Sequence, residues 1–110
     1  MSSGFDEREK TMEAKWAHDE DLRFRVVTRR NKLLAQWAAE ALGLKQAEAD
    51  SYVATLLELE VRGADDEDLV RKIRGDFASG NLGYSEHFIR SRMEELAAMA
   101  KDQIMHEFLA

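Results

Sequence analysis

Apolar residues recur along the chain with the spacing of amphipathic α-helices. When residues are placed at about 100° per position, four segments each gather their apolar side chains on one face. These segments cover about residues 20–42, 46–62, 66–79 and 85–108. A helix cannot bury such a face alone, so we expect an all-α protein in which the four helices form a small four-helix bundle.

The four apolar faces define the predicted core, and Trp37 and Phe77 are its expected aromatic members. Residues of the same face recur at intervals of three, four or seven, as helix packing requires. The predicted faces comprise Leu22, Val26, Leu33 and Trp37 with Leu34, Ala38 and Ala41 beside them; Ala49, Tyr52, Val53, Leu56 and Leu57; Leu69, Val70, Ile73 and Phe77; and Ile89, Met93, Leu96, Ala97, Ala100 and Ile104.

Local signals place the helix boundaries between these faces. The chain contains no proline, so no helix interior is interrupted by one. Gly43 follows the first face and predicts a left-handed C-terminal stop. Asp65 precedes the third face and Ser85 precedes the fourth, and both residue types cap helix N-termini. Gly75, inside the third helix, costs about 1 kcal/mol relative to alanine and predicts that this helix is the weakest.

Residues 1–19 do not follow this scheme, because the only large apolar residues between positions 5 and 21 are Phe5, Met12 and Trp16. These three share a narrow arc at helical spacing. A stripe of three apolar residues attaches a helix only weakly to a core, and short isolated helices have marginal stability in water. We therefore expect a poorly ordered, helix-prone tail that folds on a partner, followed by a bundle over residues 20–110. The alternative is that the tail folds back onto its own bundle.

Composition narrows the class of protein. The 110 residues carry 16 basic and 22 acidic side chains, a net charge of −6, which argues against a general nucleic-acid binder. There is no cysteine, so disulfides and thiolate sites are excluded. No apolar run approaches the ~20 residues of a membrane span, and the acidic N-terminus is unlike a signal peptide. We expect a soluble intracellular protein.

The basic residues are concentrated in one segment. Residues 22–45 contain six basic residues and one acidic residue, a net charge of +5. Such a helix can bind phosphate, nucleic acid or an acidic protein surface, or it can pair with acidic helices of its own fold. Arg23 and Arg30, seven residues apart, fall inside the apolar arc of the first helix. The residues proposed for a secondary contact or for phosphate binding are Arg25, Arg29, Arg30 and Lys32.

No residue pattern indicates catalysis or metal binding. His18, His87 and His106 do not stand at the spacing of three or four that a helical metal site uses. Pairs of carboxylates are expected by chance among 22 acidic residues. The glycines at 80 and 83 lack the lysine of a phosphate-binding loop. We therefore expect no enzyme activity, no metal and no cofactor, with weak adenine-nucleotide binding left open.

Three stretches resemble one known family. The sequences FDERE at residues 5–9, AHDE at residues 17–20 and RRNKLL at residues 29–34 resemble the ATPase inhibitor subunit zeta family of alphaproteobacterial F-type ATP synthases. Weaker similarity extends over the whole chain. Where the family usually has phenylalanine, this chain has Met12 and Trp16.

The resemblance implies a four-helix protein whose N-terminal segment inhibits ATP hydrolysis by the synthase. The segment would enter the catalytic head between alpha and beta subunits, near the rotor gamma subunit, and block rotation in the hydrolytic direction. It implies a cytoplasmic, non-enzymatic protein associated with the membrane-bound synthase, without nucleic-acid partners and without membrane insertion. The rival hypothesis is a nucleotide- or nucleic-acid-binding module that uses the basic face of the first helix.

Transferred by position, the resemblance places the inhibitory element at residues 5–19. Its apolar members would contact the cleft in the catalytic head, and its charged members would pair with the cleft walls. The residues so implied are Phe5, Asp6, Arg8, Glu9, Met12, Glu13, Lys15, Trp16, His18 and Asp19.

Overall fold

The computed structural model describes Lys10, Thr11, Ala14 and residues 19–109. Within residues 19–109 it contains four helices and no strand, which confirms the predicted all-α class. Each helix lies within a residue or two of its predicted bounds. The helices are α1 (Glu20–Ala41), α2 (Ala47–Val61), α3 (Asp66–Ser79) and α4 (Glu86–Leu109).

The predicted boundary residues act as predicted. Asp65 accepts the backbone N–H of Asp68 at 2.9 Å, and the Asp68 side chain accepts the Asp65 N–H at 3.0 Å, so α3 begins with a reciprocal capping box. The Ser85 hydroxyl accepts the N–H of Phe88 at 3.0 Å at the start of α4. Gly43 has a φ of 77°, the left-handed conformation in which glycine ends a helix.

Helix α1 is the central element. Its second half packs between α2 and α4, and the Thr28 hydroxyl in its first half donates to Glu60 of α2 at 3.1 Å. The first buried residues of α1, Leu22 and Val26, pack on α4. Residues 19–109 therefore form one four-helix region and, at the opposite end, a region of two antiparallel helices. The main core contains Leu34, Ala35, Ala38, Leu56, Leu69, Val70, Ile73, Phe77, Ile89, Met93 and Leu96. The two-helix region is held by Leu22, Val26, Ala100, Ile104 and Met105.

The core differs from the predicted faces on α1 and α2, and also on α4, where Ala97 is partly buried and Met105 is buried. In α1, Ala35 and Ala39 are buried although they lie outside the predicted arc, because α2 covers that side of the helix. In α2, only Leu56 is buried, and the other predicted face residues are partly buried. Residues on a helix packed from two sides are buried over a wider arc than any single stripe predicts.

Trp37 was predicted to lie in the core, but it is only partly buried and packs against the edge of the core. It lies at the edge of an aromatic cluster. Its ring meets Phe77 edge-on at 5.5 Å between centroids and stacks on Tyr84 at 6.4 Å. Phe88 lies 6.0 Å away, and the Arg92 guanidinium lies 5.9 Å above the ring. The cluster joins the ends of α1 and α3 to the start of α4.

A hydrogen bond fastens α2 to α3. The Tyr52 hydroxyl donates to the Asp76 carboxylate at 2.7 Å, and Lys72 donates to the other oxygen of that carboxylate at 3.2 Å. Burial raises the pKa of Tyr52 above its ordinary value, and the hydrogen bond and the charge of Asp76 raise it further. The bond adds a polar contact to the apolar packing of α2, whose one fully buried residue is Leu56.

We expect removal of residues 1–18 to leave a folded protein. Both apolar clusters are formed by residues 22–105, and the truncation preserves Asp19, which caps α1. Thermal unfolding of the 19–110 fragment, followed by circular dichroism, should show one cooperative transition. As a control, Asp19→Ala in this fragment should lower the free energy of unfolding by about 0.5–2 kcal/mol. A broad, non-cooperative melt of the fragment would contradict this assignment of the core.

We expect Tyr52→Phe to lower the free energy of unfolding by about 1 kcal/mol, the net value of one hydrogen bond. The pKa of Tyr52 is higher in the folded than in the unfolded state, so the unfolded state releases this proton first as pH rises. Stability should therefore fall above about pH 10 more steeply in the parent than in the variant. Urea unfolding of both proteins at neutral and alkaline pH measures this difference, and parallel curves would contradict it.

Candidate functional site

The predicted inhibitory segment meets the bundle at Asp19. The Asp19 backbone is extended, with φ −107° and ψ 103°, and its carboxylate accepts the N–H groups of Asp21 at 2.9 Å and Leu22 at 3.2 Å. Helix α1 therefore begins at this point with its own cap. Asp19 has a structural role in addition to the inhibitory role implied by the resemblance.

Three residues of the segment itself are described. Lys10, Thr11 and Ala14 have helical backbone and are exposed. At about 100° per residue they project about 120° or more from the centre of the stripe formed by Phe5, Met12 and Trp16. The other residues proposed for inhibition lie outside the described residues: Phe5, Asp6, Arg8, Glu9, Met12, Glu13, Lys15, Trp16 and His18.

Two arginines of the basic face are directed at carboxylates of the same chain. Arg29 donates two hydrogen bonds to Glu107, at 2.7 and 3.0 Å, and a third to Gln103 at 2.9 Å. These bonds lower the pKa of Glu107 and raise that of Arg29. Arg30 donates to Asp66 at 2.6 Å. Its side chain is only 11% exposed, so this arginine faces the bundle rather than solvent.

Asn31 supports the Arg30 contact. It is the one buried polar residue in the described part of the chain, and its carbonyl oxygen accepts from the Arg30 guanidinium at 2.8 and 3.1 Å. The arginine is thus held between Asn31 on α1 and Asp66 in the first turn of α3. The arrangement fixes where α3 begins along α1.

Arg25 and Lys32 are more accessible. Arg25 lies 3.5 Å from Asp21, and both side chains are largely exposed. Lys32 borders a cavity of about 610 Å³ between α1 and α2. The cavity also contains Lys45, but Glu40 and Asp50 line it as well. A phosphate would meet both signs of charge there, so the geometry does not favour the rival phosphate-binding hypothesis.

The structure also brings together an apolar groove that the sequence did not indicate. It has a volume of about 370 Å³ and lies between the first half of α1 and the second half of α4. Its floor is formed by Val26, Val27, Ala97 and Ala98. Val27 stands seven residues before Leu34, on a side of α1 that is buried in the second half of the helix and exposed in the first.

Two properties of residues 19–109 bear on function. Within that range no helix is long and apolar enough to cross a bilayer. The same residues contain no cluster of three or more histidine and carboxylate side chains placed to hold a metal ion.

Comparison with known proteins gives one match. A model of the family described as ATPase inhibitor subunit zeta matches residues 1–103. The matched range includes the N-terminal segment and nearly all of the four helices. No curated protein matches the chain.

We expect the two kinds of arginine on α1 to respond differently to removal. Arg30→Ala should lower the free energy of unfolding by about 1–3 kcal/mol, because the buried Asn31 then loses its hydrogen-bond partner. Arg25→Ala should change it by less than about 0.5 kcal/mol, since its ion pair is exposed. Urea denaturation of both variants measures the contrast. Equal, small effects would mean that the Arg30 contact contributes little to the fold.

Proposed function

Because the chain belongs to the family of ATPase inhibitor subunit zeta, we propose that it inhibits ATP hydrolysis by F-type ATP synthase through residues 5–19. The observation that carries the proposal is the family match, since it includes this segment as well as the bundle. The family is one of inhibitor subunits, so the chain acts on an enzyme without being one. Its partner is the catalytic head of the synthase.

In this proposal the segment enters the head as a helix between an alpha and a beta subunit, next to the gamma subunit. Phe5, Met12 and Trp16 pack into the cleft from one side of that helix, as in other helix-in-groove complexes. Each large apolar side chain that is removed from water contributes roughly 1.5–3 kcal/mol. Charged residues that flank the stripe pair with the cleft walls: Arg8, Glu9, Glu13 and Lys15.

A helix in this position inhibits by obstruction. Hydrolysis requires the catalytic interface to open and close as the rotor turns, and a helix packed beside the rotor prevents that cycle. No chemistry by the inhibitor is needed. The bundle remains outside the cleft, and the separate cap of α1 at Asp19 lets the segment adopt the direction that the cleft imposes.

The rival function, phosphate or nucleic-acid binding by the basic face, has less support. Arg29 and Arg30 are directed at Glu107 and Asp66 of the same chain. A phosphate would have to displace these carboxylates. Binding of that kind would also weaken steeply as the salt concentration rises.

We expect a synthetic peptide of residues 1–19 to inhibit ATP hydrolysis by the matching synthase. Trp16→Ala in this peptide should raise the inhibition constant roughly tenfold or more, because about 1.4 kcal/mol corresponds to one decade. Thr11→Ala is the matched control: Thr11 is exposed and lies away from the stripe, so this change should have little effect. Steady-state ATPase assays over a range of peptide concentrations give the three constants.

The 19–110 fragment is the complementary control and should leave the ATPase rate unchanged. Inhibition by that fragment as strong as by the full chain would locate the inhibitory element in the bundle. Equal inhibition constants for the parent, Trp16 and Thr11 peptides would contradict insertion of the apolar stripe.

A further inference from the structure

We propose that the groove between α1 and α4 is a docking site for the chain's own N-terminal segment, residues 1–18, when the segment is not bound to the synthase. The docked segment would bury Phe5, Met12 and Trp16 against the groove floor. The docking is independent of the proposed function. Its consequence, that docking holds back the inhibitory segment, rests on that function.

The groove continues the surface on which α3 lies. Trp37 and Arg30, seven residues apart on α1, both contact α3, through Phe77 and Asp66 respectively. Arg23 precedes Arg30 by seven residues, so it lies on the same side of α1 two turns nearer its start. Helix α3 begins at Asp66, however, and leaves that part of α1 uncovered.

Helix α4 is likewise left uncovered beyond the start of α3. Arg90 pairs with Glu67 in the first turn of α3. Ala97 follows Arg90 by seven residues and therefore lies on the same side of α4, beyond the start of α3. Ala97 and Ala98 line the groove. The groove is thus the space that a longer α3 would fill, and a further helix packed there would be collinear with α3.

The length and attachment of the segment fit this space. Residues 5–16 as a helix span about 18 Å, and the side of α1 that faces α3 is uncovered from residue 20 to Arg30, about 16 Å at 1.5 Å per residue. Residues 17–19 remain for the reversal of direction, which is a usual loop length between antiparallel helices. The segment is joined to the bundle at Asp19, next to the open end of the groove. The extended backbone of Asp19 breaks the path of α1, so the preceding chain can turn back along it.

The groove and the segment are complementary in their apolar surfaces and along one edge. The groove floor is apolar, and no carboxylate is among the lining residues. On the segment, Asp6, Glu9 and Glu13 follow one edge of the apolar stripe at helical spacing, and Arg8 and Lys15 follow the other. A helix that places the stripe on the floor with its acidic edge toward α1 brings these carboxylates to Arg23, which lines the groove on that side.

The described residues of the segment agree with this orientation. Lys10, Thr11 and Ala14 are helical and exposed, and they project away from the stripe. A helix docked through the stripe has that face in solvent. The groove floor is itself partly open, since Val27 is 38% exposed.

Docking competes with inhibition because both use the same three apolar side chains. Only the undocked fraction of the protein can enter the synthase, so the apparent inhibition constant is the intrinsic constant divided by that fraction. A segment docked about nine-tenths of the time would weaken inhibition roughly tenfold. The stability of the docked state would then set the apparent inhibition constant of the protein.

Paramagnetic broadening in the full-length protein tests the docking directly. The chain has no cysteine, so Lys10→Cys carries a single nitroxide label at an exposed position of the segment. We expect the amide signals of Val27 and Ala98 to lose intensity and to recover when the label is reduced. The amide of Tyr52, on α2, should keep its intensity. Absence of broadening at the groove would overturn the proposal.

A mixed sample identifies the occupant. Isotope-labelled protein without nitroxide is combined with unlabelled protein that carries it. Groove signals should then stay sharp, because the docking is within one chain. Broadening in the mixed sample as strong as in the singly labelled protein would mean that the groove receives a second copy, which also overturns the proposal.

A substitution in the groove links docking to inhibition. Ala98→Glu places a carboxylate on the floor at an exposed helical position, and Ala54→Glu is the matched control on the exposed side of α2. Ala98→Glu should abolish the broadening and lower the inhibition constant roughly tenfold for a segment docked nine-tenths of the time. Ala54→Glu should change neither. An unchanged inhibition constant for Ala98→Glu would overturn the regulatory role.

The two proposals fail in different ways. If the chain does not inhibit the synthase, neither variant will do so, yet the broadening at Val27 and Ala98 will still report docking. If docking is wrong, the parent and Ala98→Glu will inhibit equally and the groove signals will stay sharp.

Discussion

The packing of α1 along the whole length of α4 is the contact on which the other features depend. It contributes residues to both apolar clusters, and it places the first half of α1 beside the second half of α4, where Arg29 meets Glu107. Helices α2 and α3 are added to one half of this pair. Because they are shorter, the pair is covered at one end and open at the other.

The open end is also where the N-terminal segment joins the bundle. In the described part of the chain, the buried residues of both apolar clusters lie between positions 22 and 105, and the two-helix end has the apolar groove on one side. The cap at Asp19 separates the two parts because its extended backbone ends the path of α1. The fold thus presents residues 1–18 at its least covered end, with an apolar groove within their reach.

The charges of α1 show why a basic helix need not be a binding surface for phosphate. The net charge of the chain is −6, so carboxylates are plentiful on the neighbouring helices. Arg29 pairs with a carboxylate at the end of α4, and Arg30 pairs with one at the start of α3. The Arg30 contact is the more consequential of the two, because it is nearly buried and satisfies the only buried polar side chain among the described residues, Asn31.

The sequence by itself determined the class, the four helices and their ends, because periodicity and caps such as Asp65 and Ser85 act within one or two turns. It also singled out the N-terminal segment, whose stripe is too thin for a core. The burial of Ala35 and the position of Trp37 at the edge of the core could not be predicted from the sequence, because burial on α1 depends on which helices cover it. The groove at Val27 and Ala98 was likewise decided by tertiary structure alone, since its two walls lie about seventy residues apart and the length of α3 sets where it begins.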